Sequence, residues 1–248
     1  MKYLISSFLA LVFIQTGHCV RPVVITSSTW KVNTSGTSMF FTFPSGVPRN
    51  GSLLVIGNVQ FAASPQVTVS DDQPGQNTYT DQGFQTIASN AEKIVFAPNI
   101  RSTSTMTLRF TSIPGSAGPS AFISEVLNAD RSSPLDASGG IIGTATAGGV
   151  AVSSPIANIK ADGICYSNIA TGSGANPAIV NTASNWTIDG SAKELNGSVF
   201  EVGGMGYQVT STVTTRTLAW AINNSVIYAT TLSCFKAERQ RINHGPLY

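Results

Sequence analysis

The chain has 248 residues, of which 42% are hydrophobic and only 10% charged, well below the roughly 25% charged of an average soluble protein. Charge that sparse excludes a coiled coil, a charged-tail protein and charge-driven disorder. The formal charge of +2 sits at the ends: of 14 basic residues, Lys2, Lys236, Arg239 and Arg241 lie near the termini, where only Glu238 of the 12 acidic ones offsets them, so residues 20–235 are nearly neutral and carry no electrostatic footprint for nucleic acid.

In chain order, residues 1–19 read as a secretory signal peptide. Lys2 gives the positive end, Leu4 to Ile14 is apolar except for Ser6 and Ser7, and a short polar stretch ends at Cys19. The run is too short to cross a hydrocarbon core of about 30 Å as a helix, so no transmembrane helix is expected. Cleavage after Cys19 places Gly17 and Cys19 at the small-residue positions, with cleavage after Gly17 as the alternative. Bacterial lipid attachment at Cys19 would need small residues just before it, and His18 fits that poorly. The expected location is extracellular or periplasmic.

From there the periodicity is that of strands. Met106, Leu108 and Phe110 alternate with Thr105, Thr107, Arg109 and Thr111, the period-2 signature of a half-buried strand. Further strands are predicted at 23–30, 38–43, 52–61, 66–70, 84–88, 93–97, 121–128, 163–169, 199–210, 217–222 and 226–235. Turn-forming residues separate them: Pro48 to Gly51, Asp71 to Gly75, Ile113 to Gly115, and Asn223 with Asn224. No apolar 3.6-residue stripe runs over a dozen residues. This predicts an all-β fold, a two-sheet antiparallel sandwich of jelly-roll or lectin-like type spanning 20–235 as one domain. The glycine-rich stretch 138–149 and the stretch 171–185 read as loops, and 236–248 as a polar, mobile tail.

Once Cys19 leaves with the signal, Cys165 and Cys234 remain. An even pair in an oxidising compartment suits a disulfide, which on chain-entropy grounds would contribute about 4 kcal/mol. Two separate buried thiols, packed as small hydrophobes, fit equally well.

Several segments share an order. A strand ends at Asp71 and is followed by Asn77, Thr78 and Tyr79. Ala97, Asn99 and Ile100 precede the threonine-rich strand, and Glu125 precedes a turn of Pro134, Leu135 and Asp136. In this the chain resembles an uncharacterised jelly-roll or lectin-like sandwich module of secreted and surface proteins of bacteria and phages, over about residues 51–235, with a longer turn at 71–76. The resemblance implies the fold, an exported location, and sugar or surface binding. It brings no catalytic residue.

Catalytic chemistry finds little to work with. The only histidines, His18 and His244, lie outside 20–235, so neither a Ser-His-Asp triad nor a histidine-rich zinc site can be assembled there. No Gly-x-Ser-x-Gly, His-Glu-x-x-His or phosphate-binding loop occurs. Paired carboxylates need no histidine, but Glu194 and Glu201 are too far apart for the tight acidic strand of lectin-like glucanases. Glu125, which shares a face with Ile123 and Leu127, is the best single candidate for a partly buried catalytic acid; the other reading is a cross-strand partner of a base such as Arg109, or an acceptor holding the following turn. Asp71, Asp72 and Asp81 bracket a turn that could hold Ca2+, or form turns on their own backbone. Sugar binding asks for an exposed aromatic face beside polar groups. Trp186, next to Asn185, is the first choice and Trp30 the second, while Trp220 reads as core. Sequons occur at Asn33, Asn50, Asn185, Asn196 and Asn223. The expectation is an exported, non-enzymatic sandwich that binds carbohydrate or a cell-surface partner. The alternative is a structural or assembly component of a cell surface or virion, and a glycoside hydrolase comes third.

Overall fold

The computed structural model describes residues 21–26, 31–32, 38–61, 67–75, 77–87, 90–103, 105–111, 119–145, 150–152, 162–174, 179–181, 186–196, 199–222 and 226–239. Among them the chain is all strand, with no helix. The first half supplies β1 (Val23–Thr26), β2 (Lys31–Val32), β3 (Ser38–Thr42), β4 (Leu53–Phe61), β5 (Thr68–Asp71), β6 (Thr80–Ile87), β7 (Asn90–Ala97), β8 (Thr107–Thr111) and β9 (Pro119–Leu127). The second half supplies β10 (Leu135–Ala145), β11 (Val150–Val152), β12 (Gly163–Gly174), β13 (Ile179–Asn181), β14 (Thr187–Asn196), β15 (Val199–Thr210), β16 (Ala219–Ile222) and β17 (Val226–Lys236).

These strands form four antiparallel sheets. In the first half, an outer sheet β3-β8-β5 faces an inner sheet β1-β9-β4-β7-β6, to which β2 also pairs through β9. In the second half, an inner sheet β10-β17-β12-β15-β14 faces an outer sheet β11-β16-β13. Alternation along β4 shows how they stack. Leu54 and Ile56 pack with Met39, Phe41, Leu108 and Phe110 on one side. Leu53 and Val55 pack with Ile164, Tyr166, Met205 and Phe235 of the second half on the other. The inner sheet of the second half is likewise two-faced, its Cys165, Ile169 and Leu232 packing with Trp220 and Ile222 of β16. The expected antiparallel sandwich is therefore present in doubled form, four layers in place of two. Strands covered on both faces have no wet side, so their sequences run apolar without a break, as Leu53 to Ile56 do with every side chain buried.

The disulfide is formed. Cys165 and Cys234 stand directly opposite in the β12–β17 ladder, joined across a sequence separation of 69. The cross-link therefore staples two neighbouring strands at the heart of the second half, and the reading as two separate thiols falls away.

Three expectations about loops and ends are corrected. Residues 138–145 belong to β10, with Gly139, Gly140 and Gly143 paired to Leu232, Thr231 and Tyr228 of β17. The stretch 171–185 carries the end of β12 and all of β13. Periodicity is read from side chains, and glycine has none, although its backbone bonds to a neighbouring strand as any other does. Third, the ordered chain passes residue 235: Lys236 ends β17, Ala237 bridges Ala129, and the Glu238 N–H donates to the Asn128 carbonyl. The signal-peptide region and residues 240–248 lie outside the described residues. Among the described residues no helix is long and apolar enough to cross a membrane.

Candidate functional site

Four connections gather at one end of the first half, because β4 starts where β7 and β9 finish: Leu54 is opposite both Ala97 and Glu125. They are the segments 43–52, 72–79, 98–106 and 128–134. Each is rich in polar residues, and they are held by side chains together with irregular backbone bonds such as Gly51 N–H to the Ile100 carbonyl.

Asp71 organises the second segment. Its Oδ1 accepts the Gln73 N–H at 2.9 Å, the i to i+2 pattern of an Asx turn. Its Oδ2 accepts the Asn77 N–H at 3.1 Å, the Asn77 amide at 2.9 Å and the Tyr79 hydroxyl at 2.8 Å. Burial, and then the bond to Asp71, push the Tyr79 phenol well above its ordinary value, so it stays a donor. Asp72 turns the other way and accepts the Thr107 N–H and the Gln73 amide, both at 2.9 Å. The Thr107 bond first, then Gln73, hold its carboxyl below the ordinary value. Gly75, at φ +80°, closes the turn in a conformation that favours glycine.

The neighbouring segments are knitted to this one. Gln73 accepts the Thr103 N–H and donates to the Thr105 carbonyl. Asn77 and Arg101 exchange two bonds, Arg101 N–H to Asn77 Oδ1 at 2.8 Å and Asn77 Nδ2 to the Arg101 carbonyl at 3.2 Å. Asn50 accepts the Ser102 N–H at 2.6 Å. Beneath them Glu125, fully buried on β9, accepts the Arg49 N–H at 2.6 Å. In the fourth segment Asp130 accepts Ser132 and Ser133 N–H groups; burial opposes its ionisation, but these bonds hold it below the ordinary value. Arg131 lies across Gly51, whose φ is +82° and where a Cβ would stand 2.8 Å from the guanidinium carbon. A loop end cross-linked this densely keeps its shape, as a binding surface on a rigid scaffold requires.

Two open concavities result. One, of about 350 Å³, is lined by Ser45, Gly46, Pro48, Arg49, Asn50 and residues 102–103. The other, of about 370 Å³, is lined by Gly75, Asn77, Thr78, Pro98, Asn99, Arg101 and Arg131. Arg49, Arg101 and Arg131 are all exposed. Among the described residues only Arg131 has an acidic partner, Glu238 at 3.5 Å, with both side chains about half exposed. In a chain this poor in charge, the surplus of guanidinium here is a local feature.

The residues singled out from sequence are dispersed. Trp186 is only 9% exposed and sits in the core with Trp220, Cys165 and Cys234, so it offers no open ring face. Asn185 and Trp30 lie outside the described residues. Asp71 and Asp72 serve turns, and Asp81 pairs with the buried Lys93 at 2.8 Å. These carboxylates do not converge, and among the described residues no three of His, Cys, Asp and Glu gather to hold an ion. Asp71 already receives four donors, which leaves its oxygens little capacity for Ca2+. Glu125 is buried, and it accepts a backbone N–H from the Arg49 turn, as the acceptor reading expects. Glu194 and Glu201 are distant in sequence, yet the β14–β15 hairpin sets them opposite each other.

Sequence reasoning missed three features. Phe40 on β3 is 58% exposed, with the Arg109 guanidinium 5.8 Å from its ring centre. Glu92 on β7 is buried between the two halves, where it accepts from Asn168 at 2.7 Å and Thr231 at 2.9 Å. The arginine-lined loop end was visible only as separate turn signals. No protein-family model, curated protein or solved structure matches the chain, so what the site can do follows from its own residues.

Proposed function

We propose that the chain is an exported, non-catalytic β-sandwich that binds carbohydrate at a surface through the loop end of its first half. The observation that carries this reading is the pair of open, polar concavities, held in shape by the Asp71, Gln73, Asn77 and Asn50 bonds. A few fixed polar groups orient a small ligand in a cleft; among the described residues no aromatic ring lines either concavity, so a sugar here is held by polar groups in place of the exposed aromatic face expected from the sequence. Glu125 supports a binding role over hydrolysis, because it is fully buried with its Oε1 on the Arg49 N–H. The disulfide is compatible with an oxidising compartment. A glycan array probed with the chain lacking residues 1–19 tests the reading: binding is expected, and Asn77→Ala should abolish it by releasing Arg101 and the 72–79 segment. A folded chain that binds no glycan contradicts it.

The second reading, a component that assembles with copies of itself, is favoured by the outer face of β3-β8-β5. There exposed Phe40 and Arg109 stand among Thr42, Thr107 and Thr111. Oligomers that grow with concentration and vanish on Phe40→Ser would support it.

A further inference from the structure

The second concavity has a more specific chemistry than its neighbour. Arg101 and Arg131 line it together, and among the described residues the Arg101 guanidinium makes no hydrogen bond or ion pair, since only its backbone is engaged, by Asn77. Arg131 meets Glu238 through Nε at 3.5 Å, and its two terminal nitrogens make no hydrogen bond among the described residues. A guanidinium presents paired donors in a plane, matched to the two oxygens of a carboxylate. Asn99, exposed at φ 51°, and exposed Thr78 add an amide and a hydroxyl with no partner among the described residues, while Pro98 adds a small apolar surface. Two guanidiniums, an amide, a hydroxyl and an apolar ring suit a charged group carried on a polyol. The volume of about 370 Å³ lies at the low end of small-ligand sites.

We propose that this cleft takes the carboxylate of an acidic sugar, a uronic acid unit of a polysaccharide, with Arg101 and Arg131 on the carboxylate and Asn99 and Thr78 on ring hydroxyls. The inference rests on the carbohydrate-binding reading above and narrows it to acidic glycans. A nucleic acid backbone is disfavoured, because it would need a basic stripe along its length and residues 20–235 supply none.

The test is calorimetric titration of the folded chain with a galacturonate oligosaccharide, its methyl ester, the neutral galactose oligosaccharide, and acetate or sulfate alone. The acidic oligosaccharide should bind at least about tenfold more tightly than its ester, the scale of one or two hydrogen bonds to a charged group. Arg101→Ala and Arg131→Ala should each weaken it by about tenfold or more, Arg101→Lys by less, and Arg109→Ala on the far face not at all. Both arginines are exposed, so unchanged circular dichroism and melting of the variants will separate lost contacts from lost folding. Equal binding of acid, ester and neutral sugar overturns this inference and leaves the broader reading standing. Equal binding of acetate or sulfate alone overturns it in favour of a simple anion site. Binding of the acid that ignores both arginine variants overturns the placement, and no binding to any sugar, here or on the array, overturns both readings.

Discussion

Replacing Glu92 by glutamine should remove a pH dependence that the structure builds into the contact between the two halves. Glu92 projects from β7 toward the second half, 1% exposed, with Asn168 of β12 and Thr231 of β17 donating to its Oε2 and no hydrogen-bond partner for Oε1 among the described residues. Burial pushes its carboxyl up to about 8 from 4.5; the Thr231 and Asn168 bonds pull the other way but do not overcome it, and among the described residues no cation stands against it. The folded state therefore favours the neutral acid, with the proton on Oε1. In the unfolded chain Glu92 ionises near its ordinary value. Its contribution to stability is thus fully present below about pH 4.5, falls as pH rises, and is gone above about pH 8. At about 1.4 kcal/mol per pH unit the loss is on the order of 5 kcal/mol. Glutamine keeps an oxygen for Asn168 and Thr231 but places an amide where the acid carried one proton, a cost of about 1–2 kcal/mol. Glu92→Gln should therefore be the less stable protein at pH 5 and the more stable one at pH 9. Urea unfolding, followed by fluorescence of the buried Trp186 and Trp220, measures this between pH 5 and 9. The groups held low, Asp72 and Asp130, lose their contribution only as pH falls below about 3.8, and they cancel in the difference between the two proteins. Parallel stability curves for wild type and variant would refute the assignment of a neutral buried acid.

Other consequences can be checked separately. Replacing Cys165 and Cys234 together by alanine should lower stability by about 4 kcal/mol, the loop-closure value for a separation of 69; an unchanged urea midpoint would mean that the β12–β17 ladder holds without the bond. Gly57→Ala would bring a Cβ within 2.8 Å of Asn168 Oδ1 and Met205 Sδ, and should cost about 1–3 kcal/mol by overpacking the contact between the halves, read as a drop in melting temperature. Gly51→Ala forces a left-handed conformation on alanine and displaces Arg131, so a loss of about 1–3 kcal/mol should accompany weaker binding of any acidic glycan.

What could be read from the sequence was whatever a single strand displays. Leu108 and Phe110 alternate with exposed or half-exposed neighbours because β8 has one wet face, and that strand, Thr107–Thr111, lies within the 105–111 span of the period-2 signal, with buried Met106 just before it. The unbroken apolar run Leu53 to Ile56 marked a strand but did not reveal that its two faces serve different cores, which is why two sheets were expected and four are found. Trp186 misled for a related reason. Its polar neighbour Thr187 is exposed because successive side chains of an extended chain point to opposite sides, so a polar flank says little about the residue between. The buried acid at Glu92 could not be read at all, since its partners Asn168 and Thr231 are supplied by strands far along the chain. The loop end lies between these cases. Its turns were visible at Pro48 to Gly51 and Asp71 to Gly75, but their meeting depends on the register of β4 with β7 and β9.

Whether this polar loop end is the binding surface can be read from amide chemical-shift mapping of the folded chain titrated with a glycan that it binds. The largest shifts should fall within 45–50, 75–79, 98–103 and at Arg131, with the β3-β8-β5 face silent. Largest shifts at Phe40, Arg109 and Thr111, with the loop end unmoved, would contradict that reading.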